Sequence, residues 1–169
     1  MPLSKFLPWG LYVGGRYDAE NFDNLIKERI SYIVSAGTKD ITFPSHFEVL
    51  RIRIKDRIGE KFLDRFEEVK NFVDSAKEAN EQVLIHCDVG QSRSCAFAIA
   101  YSLVRESTPL WATLQELKLM RRKVQRDVKV NSSFMKELMD LEYKVLGASS
   151  IPSDEIEKIL ERLKKRGFY

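Results

Sequence analysis

Cysteine is scarce in this chain of 169 residues: there are two, eight positions apart, too few and too close for a disulfide framework. Long apolar runs are missing as well. Val83-Leu84-Ile85 is typical of those present, far short of the ~20 residues that cross a bilayer. The start, Met1-Pro2-Leu3-Ser4-Lys5, carries no apolar core of a secretory signal, and Pro2 excludes a myristoylated glycine. Charge of one sign is also lacking, since 28 Lys and Arg stand against 25 Asp and Glu. The net +3 is too small and dispersed to argue for nucleic-acid binding. Histidine is limited to His46 and His86, so no metal-ligand cluster forms in the sequence. Internal repeats and low-complexity tracts are absent.

What is present suits one folded domain. The length falls near the usual domain size, and 44% apolar with 31% charged residues excludes disorder. These features together predict a soluble, cytosolic protein.

The patterning predicts alternating strands and helices followed by helices alone. Leu11-Tyr12-Val13 ends at Gly14-Gly15 as a short strand. Residues 19–29 place Phe22, Leu25 and Ile26 on one helical face. Strands are expected at residues 30–34, 49–54 and 83–85, the last apolar enough to be buried on both faces of a parallel sheet. Phe62, Phe66, Val69, Phe72, Val73 and Ala76 mark a helix, and Ala96, Ala98, Ile99 and Leu103 another. Thr108-Pro109 reads as an N-cap and first-position proline for a helix on Leu110, Leu114 and Leu117. Asn131-Ser132-Ser133 caps a helix through Phe134, Leu138, Leu141 and Val145, stopped at Gly147. After the break at Ser150-Ile151-Pro152-Ser153, Ile156, Ile159, Leu160 and Leu163 form a last amphipathic helix. The expected fold is α/β, a central, mainly parallel sheet flanked by helices, with a domain over 1–149 and a helical extension over 150–169.

The chemistry concentrates in His86-Cys87-Asp88-Val89-Gly90-Gln91-Ser92-Arg93-Ser94, between the buried strand and the next helix. A loop there aims backbone N–H groups and a helix N-terminus at one point, which suits a phosphate. Residues Asp88, Val89, Gly90, Gln91, Ser92 and Arg93 would form this cradle. Gly90 permits the reversal. Cys87 starts the loop, where the same dipoles favour thiolate over thiol. The planar fork of Arg93 can grip two phosphate oxygens, and Ser94 can hydrogen-bond the sulfur as it leaves. His86 is placed to fix the loop rather than to act as a base.

The string His-Cys, five residues, Arg-Ser resembles the signature of cysteine-dependent protein phosphatases, and the chain resembles the small dual-specificity phosphatases among them. Leu11-Tyr12-Val13-Gly14, Ala100-Tyr101 and Asn131-Ser132-Ser133-Phe134 leading to Leu138 and Leu141 match that family's pattern, so the likeness covers roughly residues 6 to 146. It implies hydrolysis of phosphotyrosine and phosphoserine or phosphothreonine in protein substrates through a phosphocysteine, without metal or cofactor. It also implies an acidic residue about thirty positions before the cysteine. Asp56, 31 before Cys87, fits, with Glu60 and Asp64 as competitors. A phosphoinositide or RNA 5′-phosphatase on the same fold, and a non-catalytic phosphoprotein-binding module, are the alternatives. The loop has no basic residue before Arg93, which counts against a lipid headgroup. No aromatic recognition loop for phosphotyrosine is evident, which favours a shallow pocket. Low-molecular-weight phosphatases and arsenate reductases share the Cys-to-Arg spacing but carry it near the N-terminus; here it follows 86 residues.

Two departures from the family pattern bear on the site. Val130 stands where a proline usually precedes the capping asparagine, and Asp88 brings a negative charge to the phosphate site. Cys95 reads as a small core residue and Arg121-Arg122-Lys123 as a solvated helix end. Arg51, Arg53, Lys55 and Arg57 alternate with Ile52 and Ile54, either as a solvated basic face or as a surface steering acidic substrates.

Overall fold

Apolar residues on alternate sides of short strands build two cores around one sheet. In the computed structural model, which describes residues 2–168, five strands are ordered β1-β2-β5-β3-β4. They are β1 (Ser4–Leu7), β2 (Leu11–Gly14), β3 (Ile30–Ser35), β4 (Glu48–Arg51) and β5 (Gln82–His86). Only β1 runs antiparallel, against β2; the others pair in parallel. Val83 and Ile85 of β5 face the larger core, whereas Leu84 joins the smaller one with Tyr12, Leu25 and Ile33. The expected central, mainly parallel sheet flanked by helices is therefore present.

The smaller core is covered by α1 (Arg16–Glu20) and α2 (Phe22–Lys27). The single helical face expected over 19–29 is broken at Asn21, whose ψ of 74° ends α1 while its side chain accepts from Asn24 N–H and starts α2. Leu25 is buried and Ile26 is exposed as a result. On the other face lie α3 (Phe66–Glu78), α4 (Arg93–Glu106), α5 (Leu110–Arg122), α6 (Ser132–Leu146) and α7 (Ser153–Lys165). Residues 93–103 of α4 are buried without interruption, as for a helix packed on all sides. α7 packs Ile159 and Leu163 into the same core. Among the described residues no helix is long and apolar enough to cross a membrane.

Several boundaries differ from the sequence pattern for identifiable reasons. β1 is only four residues long and gives little periodicity to detect. The strand expected over 49–54 leaves the sheet at Arg51: Ile52 N–H still donates to Ser35 O (2.9 Å), but Ile54 O accepts from Arg93 instead of a strand. A 3-10 turn, Phe62–Arg65, precedes α3, its N–H groups at Phe62 and Leu63 donating to the Glu137 carboxylate. Thr108 does not cap α5. The helix begins one residue after Pro109, Thr108 Oγ1 pairs with Ser102 Oγ, and Glu142 of α6 accepts from Leu110 N–H at 2.8 Å. Glu142 is buried there, whereas Val145, which the apolar spacing favours, is exposed.

Candidate active site

β5 ends at His86 and α4 begins at Arg93, so residues 87–92 turn at the carboxyl end of the central strand. Both neighbouring strands end level with it, Gly14 and Ser35 each lying opposite His86. This is where open α/β sheets bind ligands. Cys87 N–H donates to Gly14 O, and Arg16 N–H donates to Asp88 O, stitching the loop to the end of β2. Gly90 has φ of +79°, and a Cβ there would lie 2.7 Å from Gly15 N and 2.6 Å from Arg121 Nη2. Only glycine fits that reversal.

Two groups converge on the sulfur. Gly90 N–H donates to Cys87 Sγ at 3.2 Å, and Ser94 Oγ lies 3.3 Å away. Ser94 Oγ is also 3.2 Å from Gly14 O. Its single proton can therefore serve the carbonyl while Cys87 is a thiol and turn to sulfur when it is a thiolate. His86 Nδ1 sits 3.2 Å from Cys87 O, a bond that requires the Nδ1–H tautomer. Burial lowers the pKa of His86, which favours the neutral ring. Cys95 donates its thiol to Gly90 O at 3.6 Å, and burial pushes its pKa up to about 12.

The Arg93 side chain is buried. One Nη donates to Ile54 O (3.1 Å) and the other to Asp88 Oδ2 (2.9 Å), while Nε is buried with no partner among the described residues. That leaves a donor for an anion. The charge of Asp88 is absorbed by its neighbours. Burial alone would raise its pKa, but the Thr38 hydroxyl and N–H, together with Arg93, hold the carboxyl below its ordinary range. The negative charge that the sequence sets beside a phosphate is thus tied to the loop's own arginine.

Asp56 lies on the exposed segment after Ile54, and its Oδ1 accepts from Asn131 Nδ2 at 2.8 Å. The same asparagine caps α6 by accepting from Phe134 N–H, and its own N–H donates to Ser92 Oγ. One residue therefore connects the loop, Asp56 and a helix start. Gly59 N–H donates to Ser133 Oγ at 2.8 Å. The competitors are held differently: Glu60 faces Arg57 at 3.5 Å, and Asp64 belongs to the 3-10 turn. Of the basic series, Arg53 pairs with Asp40 and Arg51 donates to Ile41 O, so both serve their own chain. Among the described residues no group of three His, Cys, Asp or Glu side chains is placed to hold a metal ion.

Arg121 corrects the sequence reading. Far from a solvated helix end, it is 1% exposed and donates to Ser4 Oγ, Val13 O and Gly90 O at 3.0–3.2 Å. The signal was its spacing, because Leu110, Leu114, Leu117 and Arg121 fall on one face of α5. Arg121→Leu would strip buried acceptors of their donor, each costing ~1–3 kcal/mol, so a loss near 3 kcal/mol is expected. In thermal unfolding that corresponds to a Tm lower by roughly 6–12 °C for a domain of this size.

A thiol beside a buried arginine, at the carboxyl end of a parallel strand, is the arrangement of a cysteine-dependent protein phosphatase domain. Residues 11–144 match the family described as "Dual specificity phosphatase, catalytic domain", and the chain belongs to that family. It is 32% identical over 147 residues to the Protein phosphatase Slingshot homolog of Xenopus laevis, covering 86% of this chain and 20% of that protein. It is 32% identical over 146 residues to human Dual specificity protein phosphatase 16, covering 84% and 21%. The chain thus spans about a fifth of the length of these curated relatives. The crystal structure of DUSP15 superposes with a TM-score of 0.78 at 24% identity, covering 99% of this chain and 98% of that one, a likeness of fold.

Proposed function

We propose that this domain hydrolyses phosphotyrosine and phosphoserine or phosphothreonine in protein substrates through a phosphocysteine. The observation that carries the reading is Cys87 Sγ between Gly90 N–H and Ser94 Oγ, with Asn131 tying the loop to Asp56. In the first step the Cys87 thiolate attacks phosphorus, the S–P bond forms and the P–O bond breaks. Asp56, as the acid, gives its proton to the departing oxygen. In the second, water attacks phosphorus while the Asp56 carboxylate takes its proton, and sulfur leaves as a thiolate hydrogen-bonded by Ser94. Arg93 and the N–H groups of residues 88–93 hold the phosphoryl oxygens throughout. His86 and Asp88 support the loop.

Both cysteines are free, which suits a reducing compartment, the cytoplasm or nucleus. The small dispersed charge gives no reason to expect a nucleic-acid partner.

The test is phosphate release in the presence of EDTA from 4-nitrophenyl phosphate, phosphotyrosine and phosphothreonine peptides, soluble inositol phosphates and 5′-triphosphorylated RNA. Hydrolysis of the aryl phosphate and both peptides is expected. Faster release from inositol phosphates or RNA than from any peptide would replace the protein substrate. Peptide binding with no hydrolysis of any compound would leave a binding module.

A further inference from the structure

The loop that carries Asp56 is held from a side that the reaction does not use. α7 ends in a left-handed residue, Gly167 at φ +79°, and Phe168 N–H donates back to Leu163 O at 3.0 Å. This is a Schellman-type helix end, which turns the following residue back along the helix. Here it sets the ring of Phe168 on Gly59. A Cβ at Gly59 would lie 2.6 Å from Phe168 Cζ and 2.9 Å from Cε1, so the ring rests on the bare Cα of a residue at φ +97°. Beneath that contact is a cavity of about 530 Å³ lined by Gly59, Leu63, Ser133, Glu137, Leu163 and Phe168, among others.

We infer that Phe168 is a positioning residue for the proton-transfer step, holding the 55–60 loop so that Asp56 meets the leaving oxygen. The inference rests on the assignment of Asp56 as the acid. Ile58 packs against the larger core, and three further contacts reach the loop: Asn131 on the Asp56 carboxylate, Ser133 on Gly59 N–H, and Phe168 on the Gly59 Cα. The first two are polar bonds at 2.8 Å, and both belong to the start of α6. The third alone comes from α7 and closes the loop against the cavity. Glycine has the most backbone freedom to lose, so the residue under the ring is the one most able to carry the loop away. Phe168 is itself 49% exposed and contributes little to the core, whereas Ile159 and Leu163 anchor α7. Removing the ring should release the loop without unfolding the helix.

The distinguishing property is the leaving group. A poor one depends on the acid, and a good one hardly does. Phe168→Ala should lower kcat on a phosphoserine peptide about tenfold, below the 10²-fold that a 1 Å misplacement can cost, with KM and the 4-nitrophenyl phosphate rate changed by less than about twofold. Phe168→Tyr, which keeps the ring, should restore the wild-type rate. In an Asp56→Asn background Phe168→Ala should have no further effect on either substrate. Equal losses on both substrates, or a further loss in the Asp56→Asn background, would overturn the inference. So would a large loss on the peptide for Asp56→Asn with none for Phe168→Ala, which leaves the acid assignment standing. If Asp56→Asn itself costs nothing, the acid assignment and the inference fail together.

Discussion

Cys87→Ser is expected to reduce turnover of every phosphomonoester by roughly 10⁴–10⁶-fold, the scale on which loss of a catalytic nucleophile acts. The change replaces a sulfur by an oxygen in a site that is 1% exposed, where Gly90 N–H and Ser94 Oγ can hydrogen-bond either atom. Fold and cradle should survive. What disappears is a sulfur nucleophile that is also a good leaving group, and both steps need it. A phosphopeptide should still bind Cys87→Ser, as measured by calorimetry, while phosphate release falls to background. Cys95→Ser is the control. The Cys95 thiol is spent on Gly90 O, and its burial-raised pKa of about 12 keeps it protonated, so turnover should persist. A fully active Cys87→Ser would remove the mechanism.

The loop was legible because its chemistry is local. His86, Cys87, Gly90, Arg93 and Ser94 lie within nine residues, and the apolar run before them fixes the strand that presents them. The sheet was legible for a similar reason: Val83, Leu84 and Ile85 can be satisfied only by burial on both faces. What the pattern could not show were side chains working across long separations. Thr38 reaches Asp88 from fifty residues away and changes what that charge does. Glu142 caps α5 from α6, displacing Thr108 from the role its residue type favours. Arg121 reads as part of a basic run until α5 is seen to bury the face it occupies.

Asn131 is the instructive intermediate. Its residue type and position announced a helix cap, correctly, since its oxygen accepts from Phe134 N–H. The cap leaves the amide nitrogen free, and that nitrogen donates to Asp56. A capping residue thereby also ties Asp56 to the loop. Nothing in the spacing of Asp56 and Asn131, 75 residues apart, could have shown this.

Asp56→Asn is the second large effect. Asparagine is isosteric and its carbonyl can still accept from Asn131 Nδ2, so the loop should keep its place while the transferable proton is lost. General acid catalysis contributes roughly 10²–10⁴-fold, and that is the expected drop in kcat on a phosphoserine peptide, whose alkoxide leaves only with a proton. The loss on 4-nitrophenyl phosphate should be much smaller, because its phenolate departs unaided. The contrast also discriminates among the three carboxylates. Glu60 is 3.5 Å from Arg57 and accepts from Lys55 N–H, and both Glu60 and Asp64 line the cavity beside Phe168 rather than meeting Asn131. Glu60→Gln and Asp64→Asn should therefore leave the ratio of peptide to aryl phosphate turnover near the wild-type value. If instead Asp56→Asn preserves that ratio and Glu60→Gln or Asp64→Asn collapses it, the proton comes from the far side of the loop, and Asn131 holds Asp56 only as a strut.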